Sequence, residues 1–155
     1  MNIKSKTLLL GIGNCGRTDD GLGWAFIDKI LLDLPENYDF EYRYQLQIED
    51  AELASQYQEV IFIDAHNDIL ENGFLWKECF PKATESFTTH QLDPETVLYL
   101  TESIYNEQPK AFILAITGVD FSLSIGLSDL AKQNLSNALD FFKYKIPSLP
   151  KRMIT

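Results

Sequence analysis

The sequence is poor in cysteine and in long apolar runs, and each shortage excludes a class of protein. Its 155 residues include two cysteines, Cys15 and Cys79, which lie far apart and form no CxxC motif. We therefore expect reduced thiols in a cytoplasmic protein, not a disulfide framework. The apolar run at residues 8–10 is too short for a signal-peptide core or a membrane span, so no membrane association is expected.

Basic residues are also scarce. The chain has 13 Lys and Arg against 23 Asp and Glu, which gives a formal net charge of −10. A surface of this sign repels the phosphates of nucleic acid, so nucleic acid is not expected as a partner. It suits a basic partner or a cation, although most of these carboxylates belong to an ordinary solvated surface.

The remaining composition is that of a globular protein, with 45% hydrophobic and 23% charged residues. The length predicts a single α/β domain spanning residues 1–155. Apolar runs alternate with segments of helical periodicity, which favours a mostly parallel sheet covered by helices on both sides. The predicted strands are residues 7–11, 38–46, 60–65, 82–88 and 111–117. The predicted helices are residues 21–34, 49–57, 93–106 and a last helix that begins at Ser128.

A glycine-rich turn follows the first predicted strand. Residues 11–16 match the GxGxxG pattern of dinucleotide-binding turns, although a single match is weakly specific. Asp19 and Asp20 come before the helical periodicity begins, so two carboxylates would lie where a nucleotide places its phosphates. Two unit charges about 4 Å apart repel by roughly 4 kcal/mol at an effective dielectric constant near 20. A Walker loop is excluded because the sequence lacks GK[ST] there.

The acidic pair needs an explanation of its own. One aspartate is enough to cap the following helix and to complement its dipole. A second one, flanked by Gly21 and Gly23, exceeds that need, because glycines also permit close approach of a ligand or another chain. We expect one aspartate to support the loop and the other to face a cleft.

Two further polar residues follow predicted strands. Asp64 ends the apolar run at residues 60–63, where an ionised carboxylate is costly unless it is hydrogen-bonded, paired or bound to a cation. His90 precedes the Asp93-Pro94 helix start, and His66 is the rival histidine. Asp64 has an alternative role as a cap of the following loop, and either histidine has one as plain surface. Two carboxylates and an imidazole form a cation site that leaves open positions for a substrate.

Four segments in order resemble the motifs of the hydrogenase maturation endopeptidases. GIGNCGRTDDGLG (residues 11–23) is similar to the opening motif, in which an acidic pair follows a GxGN turn. VIFIDA (residues 60–65) is similar to the second, TTHQL (88–92) to the third, and IGLS (125–128) to the fourth. The chain departs from many relatives in residues 44–51, which contain no glycine, and in carrying Asp20 where some relatives have Glu.

The resemblance implies a three-layer α/β/α sandwich of the phosphorylase/hydrolase-like type, with a twisted, mostly parallel sheet of about five strands. It implies removal of a C-terminal peptide from a [NiFe]-hydrogenase large-subunit precursor after nickel insertion. Matched position by position, Asp20, Asp64 and His90 would contact the nickel and form the catalytic set, with Asp19 as its supporting residue. The nickel would be carried by the substrate, no organic cofactor is expected, and the free protein would be a monomer.

Two other functions remain open at this point. The chain could be a non-catalytic chaperone that senses the metal state of its partner, or a nucleotide-binding protein that uses the glycine turn at residues 11–16. Within the enzyme hypothesis, the metal could position the scissile bond or polarise its carbonyl or a water. A general-base role for one aspartate is a further possibility.

Overall fold

The structure is a computed structural model that describes residues 6–83 and 92–146. Its strands are β1 (Thr7–Ile12), β2 (Tyr38–Arg43), β3 (Glu59–His66), β4 (Phe74–Cys79) and β5 (Lys110–Thr117). Its α-helices are α1 (Leu22–Ile30), α2 (Glu49–Ala54), α3 (Pro94–Tyr105) and α4 (Asp129–Lys145). Short 3-10 turns at Thr18–Gly21, Leu31–Asp33 and Glu71–Gly73 connect them.

The five strands form one sheet in the order β2-β1-β3-β5-β4. The pairs β1–β2, β1–β3 and β3–β5 are parallel, whereas β4 runs antiparallel to β5 at one edge. Gly11 of β1 pairs with Ile63 of β3, so the carboxyl ends of these two strands lie side by side. This mostly parallel sheet of five strands confirms the predicted fold class.

Both faces of the sheet are covered. Residues Leu9, Ile61 and Ile63 face α1 and α4, and Phe26 of α1 meets Phe142 of α4 with ring centroids 5.3 Å apart. The alternate residues of the same strands face α2 and α3 on the other side of the sheet. They pack against Ala54 of α2 and against Val97 and Leu98 of α3. The strands are apolar on both sides because each side is covered by a helical layer, as in other parallel sheets.

Two helix starts agree with the sequence prediction. Asp93 caps α3, because its Oδ1 accepts a hydrogen bond from the Thr96 amide at 2.9 Å, and Pro94 takes the first helical position. Ser128 caps α4 by accepting from the Ala131 amide at 3.2 Å. Asn106 ends α3 in the left-handed conformation, with φ 56°.

Other boundaries differ from the prediction. Helix α1 ends at Ile30, α2 at Ala54 and strand β2 at Arg43, each earlier than expected. Lys82 and Ala83 are not in a strand, and the rest of the predicted strand at residues 82–88 lies outside the described residues. The fifth strand is β4, which sequence reasoning missed because this edge strand alternates exposed and partly buried residues without a continuous apolar run.

In residues 6–83 and 92–146, no helix is long and apolar enough to cross a membrane.

Candidate functional site

Asp20 and Asp64 lie near the topological switch point of the sheet, between β1 and β3. Strand β2 lies on one side of β1 and β3 on the other, so the order reverses between β1 and β3. In open α/β sheets this switch point, at the carboxyl ends of the strands, is where ligands bind. Asp20 lies in the loop that follows β1, and Asp64 lies near the end of β3. The sheet topology therefore brings two of the predicted site residues to one place.

Asp19 is fully buried and supports the surrounding loops. Its Oδ2 accepts hydrogen bonds from the amides of Val119 and Asp120 at 2.8 and 3.0 Å and from Ser128 Oγ at 2.7 Å. Its Oδ1 accepts from the Ser128 amide at 2.7 Å. Burial acts to raise the pKa of Asp19, but these hydrogen bonds outweigh it and hold the pKa below its usual value. Asp19 is therefore an ionised anchor whose two oxygens are held by four hydrogen bonds.

Thr18 completes the connection between the two loops. It has φ 52°, a value that is unfavourable for a β-branched residue. Its amide donates to Ser124 O at 2.9 Å, and its Oγ1 donates to Ser122 O at 2.7 Å. The Ser124 amide in turn donates to Gly16 O at 3.1 Å. Backbone strain of this kind persists where surrounding contacts impose it, and such positions cluster at functional sites.

Two glycines let the acidic loop pack closely against the sheet. Gly13 has φ +148°, and a Cβ at this position would lie 2.0 Å from Asp20 O. A Cβ on Gly23 would lie 2.5 Å from both Ile12 O and Ile63 O, so the first turn of α1 packs directly on β1 and β3. Gly13 and Gly23 therefore hold the acidic pair close to the strand ends. For Gly23 this contact lies within the chain, whereas the prediction was close approach of a ligand or another chain.

Asp20 and Asp64 have few internal partners. Asp64 accepts one hydrogen bond, from the Ala65 amide to Oδ1 at 2.8 Å, and the described residues donate none to its Oδ2. Burial raises the pKa of Asp64 to about 7, and the nearby charge of Asp20 adds to the rise. Burial also raises the pKa of Asp20, against the attraction of Arg17 and a hydrogen bond from the Asn14 backbone, which both act to lower it. A cation between the two carboxylates would remove this cost.

Asp64 faces a cleft of about 330 Å³ on the α2–α3 side of the sheet. Its lining is mixed. Ile12, Leu46, Leu92 and Pro94 are apolar, and polar groups come from Tyr44, Gln45, Asp64 and Asp93. Leu46 and Leu92 form an isolated antiparallel bridge, which joins the segment after β2 to the segment before α3. A cleft with both apolar walls and polar groups suits an extended peptide, whose side chains contact the walls while its polar groups are held by hydrogen bonds.

The structure describes one of the two candidate histidines, His66, but not His90. His90 lies outside the described residues, so its predicted place beside Asp20 and Asp64 stays a prediction. His66 ends β3, and its Nδ1 accepts from the Asp68 amide at 3.1 Å. Across residues 6–83 and 92–146, no three His, Cys, Asp or Glu side chains come together to hold a metal ion. The described part of the site therefore consists of two carboxylates.

The glycine turn does not have the form of a phosphate-binding loop. Four amides of the turn already donate to atoms of the chain, at 2.8–3.0 Å. The Gly13 amide donates to Arg43 O and the Asn14 amide to Asp20 O. The Gly16 amide donates to Asn14 Oδ1 and the Arg17 amide to Asn14 O. A phosphate site needs amides of this kind to be available to the ligand. Helix α1 begins only at Leu22, after both aspartates. The structure therefore gives no support to the nucleotide-binding alternative.

Sequence reasoning missed the bond between Asp19 and Ser128, which are 109 positions apart. Ser128 was predicted as the start of the last helix and as part of the IGLS segment, and its two hydrogen bonds to Asp19 give it a further role in the site. Cys15 lies in the glycine turn with its side chain exposed. Neither cysteine forms a disulfide.

Comparisons with solved structures identify the fold. The hydrogenase maturating endopeptidase HybD from E. coli has a TM-score of 0.73 at 18% identity, with 92% of this chain and 93% of that chain covered. The [NiFe] hydrogenase maturation protease HycI from Thermococcus kodakarensis KOD1 has a TM-score of 0.68 at 18% identity, with coverage of 90% and 91%. An uncharacterized protein from Wolinella succinogenes has a TM-score of 0.59 at 24% identity, with coverage of 94% and 99%.

No protein-family model and no curated protein matches the chain. The structural likeness covers nearly the whole chain and shows that its fold is the one seen in hydrogenase maturation endopeptidases. At these identities the likeness establishes the fold, and the chemistry has to be argued from the site.

Proposed function

We propose that this protein is an endopeptidase that removes a C-terminal peptide from a [NiFe]-hydrogenase large-subunit precursor after nickel has been inserted. The observation that carries the proposal is the convergence of Asp20 and Asp64 at the β1–β3 switch point, where the two charges repel and no described residue donates to Asp64 Oδ2. The fold it shares with HybD and HycI, and the four motifs in order, support the same activity.

The donor set fits nickel carried by the substrate. Carboxylate oxygens and an imidazole nitrogen are both accepted by divalent nickel, and three protein ligands leave coordination positions for the substrate's own groups. Asp20 and Asp64 supply the carboxylates. His90 is proposed as the imidazole, because it stands two positions before Leu92, which lines the same cleft as Asp64.

In this proposal the protein distinguishes nickel-loaded from nickel-free precursor because the bound nickel places the precursor's tail in the site. Asp20 and Asp64 hold the nickel, and the cleft beside Asp64 receives the extended tail. Fixing a peptide bond in place can supply roughly 7–11 kcal/mol of the barrier, because it converts an encounter into an intramolecular step. The nickel, when bound, also supplies Lewis acidity toward the scissile carbonyl or a water. Asp19 positions the acidic loop and touches neither the metal nor the tail.

The test is incubation of the protein with nickel-loaded and nickel-free precursor, followed by mass spectrometry of both products. We expect cleavage of the loaded form alone and a loss of about 10³-fold or more in Asp64→Asn and Asp20→Asn, because each removes a metal-contacting charge. Asp140→Asn makes the same charge change on the exposed surface of α4 and should retain wild-type activity.

Equal cleavage of the two precursors would refute metal reading, and full activity of Asp64→Asn would refute the assigned site. Tight binding of the loaded precursor without peptide release would instead identify a metal-sensing chaperone. The free protein is expected to be a cytoplasmic monomer without an organic cofactor.

A further inference from the structure

The loop between β5 and α4, residues 118–128, exposes large apolar side chains beside the acidic site. Val119, Leu123 and Ile125 are 53%, 78% and 86% exposed. Single exposed hydrophobic residues are common on protein surfaces, but a group of them marks an interaction site. These three fall within seven consecutive positions of one loop, and that loop follows β5 at the same edge of the sheet as Asp20 and Asp64.

Hydrogen bonds to the acidic loop hold this apolar loop in place. Asp19 Oδ2 accepts from the Val119 and Asp120 amides, and the Asp19 amide donates to Asp120 O at 2.8 Å. Asp120 in turn accepts from the Ser122 amide and hydroxyl at 3.0 and 2.7 Å. The loop is therefore preorganised, and a partner that docks on it loses little conformational entropy in ordering it.

The surroundings of the apolar loop are acidic. The loops at this edge of the sheet, residues 13–21, 44–48, 67–73 and 118–128, contain five acidic residues and one basic residue, Arg17. They also expose Tyr44, Ile48 and Ile69, which are 70%, 61% and 91% exposed. A partner that matches this edge presents an apolar patch next to a basic segment.

We infer that Val119, Leu123 and Ile125 form the docking surface for the folded protein substrate, which presents an apolar patch beside a basic segment. This inference rests on the proposed function and names the surface that the function requires. The occupant is the substrate, because Asp19 joins the docking loop to the loop of Asp20. A protein held on Val119, Leu123 and Ile125 is thereby held at a fixed distance from the carboxylates.

The test compares two double variants in biolayer interferometry with nickel-loaded precursor. Leu123→Ser/Ile125→Ser removes two apolar side chains from the docking loop. Leu32→Ser/Tyr144→Ser removes two that are 87% and 91% exposed near the ends of α1 and α4, which point away from the site edge. We expect the first to weaken Kd by about tenfold or more, from the lost burial of two side chains, and the second to leave it unchanged.

Several outcomes would overturn the inference. These are a wild-type Kd for Leu123→Ser/Ile125→Ser, an equal loss in both double variants, or a homodimer by analytical ultracentrifugation that Leu123→Ser/Ile125→Ser abolishes. Raising NaCl from about 0.05 to 0.3 M should weaken wild-type binding through screening, and an unchanged Kd would refute the basic segment. If the wild-type protein binds the precursor but releases no peptide, the proposed function fails and the docking surface stands. If Leu123→Ser/Ile125→Ser cleaves the precursor with the KM of the wild-type protein, the docking surface fails and the proposed function stands.

Discussion

Asp19 and Asp64 lie at the same edge of the same sheet, yet their surroundings are opposite. Asp19 accepts four hydrogen bonds and has a lowered pKa, whereas Asp64 accepts one and has a pKa of about 7. This difference distinguishes Asp19, which stabilises the fold, from Asp64, which is available to a ligand. A fully paired carboxylate stabilises the fold, and an underpaired one costs folding free energy that a ligand can recover.

The largest effect on stability should come from removing the anchor. Asp19→Asn leaves one acceptor oxygen for four donors and places an amide against backbone N–H groups, so we expect the free energy of unfolding to fall by about 3 kcal/mol at pH 7. The pKa of Asp19 in the folded protein is below its usual value. The stabilisation that ionised Asp19 gives the wild-type protein is therefore present above about pH 4 and is lost as the pH falls further. Urea unfolding followed by circular dichroism measures both quantities.

Asp140→Asn is the matched control, since the exposed carboxylate of α4 should change the unfolding free energy by less than about 0.5 kcal/mol. A variant Asp19→Asn as stable as the control would show that the four hydrogen bonds do not hold the two loops.

A smaller effect with the opposite sign should follow from Asp64→Asn. The folded pKa of Asp64 is raised from 3.8 to about 7, so its protonated form adds stability at low pH that is lost as the pH rises through that window. We expect Asp64→Asn to gain about 2 kcal/mol or more relative to wild type between pH 4.5 and pH 8, because the variant has no proton to lose. Urea midpoints of both proteins across this range supply the measurement.

Parallel pH profiles for the two proteins would mean that the Asp64 carboxylate is better solvated or better paired than the structure indicates. A gain in stability together with lost cleavage would show directly that the fold bears a cost for the site.

Much of the scaffold could be predicted because its determinants are local. Four consecutive apolar residues before Asp64 predict a strand that is buried on both faces. The pair Asp93-Pro94 predicts a helix start, because the Asp side chain accepts from a first-turn amide and Pro has no amide that needs a partner there. Strand β4 was missed because it is a half-exposed edge strand, although Asn72 and Gly73 before it, both with positive φ, are a turn signal.

The site was less predictable because its key contacts are between distant positions. The sequence indicated that one of Asp19 and Asp20 supports the loop, but which partners it has depends on the bond to Ser128, 109 positions away. The exposure of Val119, Leu123 and Ile125 likewise depends on how the β5–α4 loop is tied to the acidic loop, which no local pattern encodes.

Calorimetric titration of the free protein with Ni²⁺ shows whether Asp20 and Asp64 hold one divalent cation together. We predict one site in wild type, about tenfold or more weaker binding in Asp20→Asn and in Asp64→Asn, and wild-type binding in Asp140→Asn. The double variant Asp20→Asn/Asp64→Asn should lose much less than the sum of the single losses, because both side chains serve the same ion. Wild-type affinity in either single variant, with a single site still present, would contradict the account.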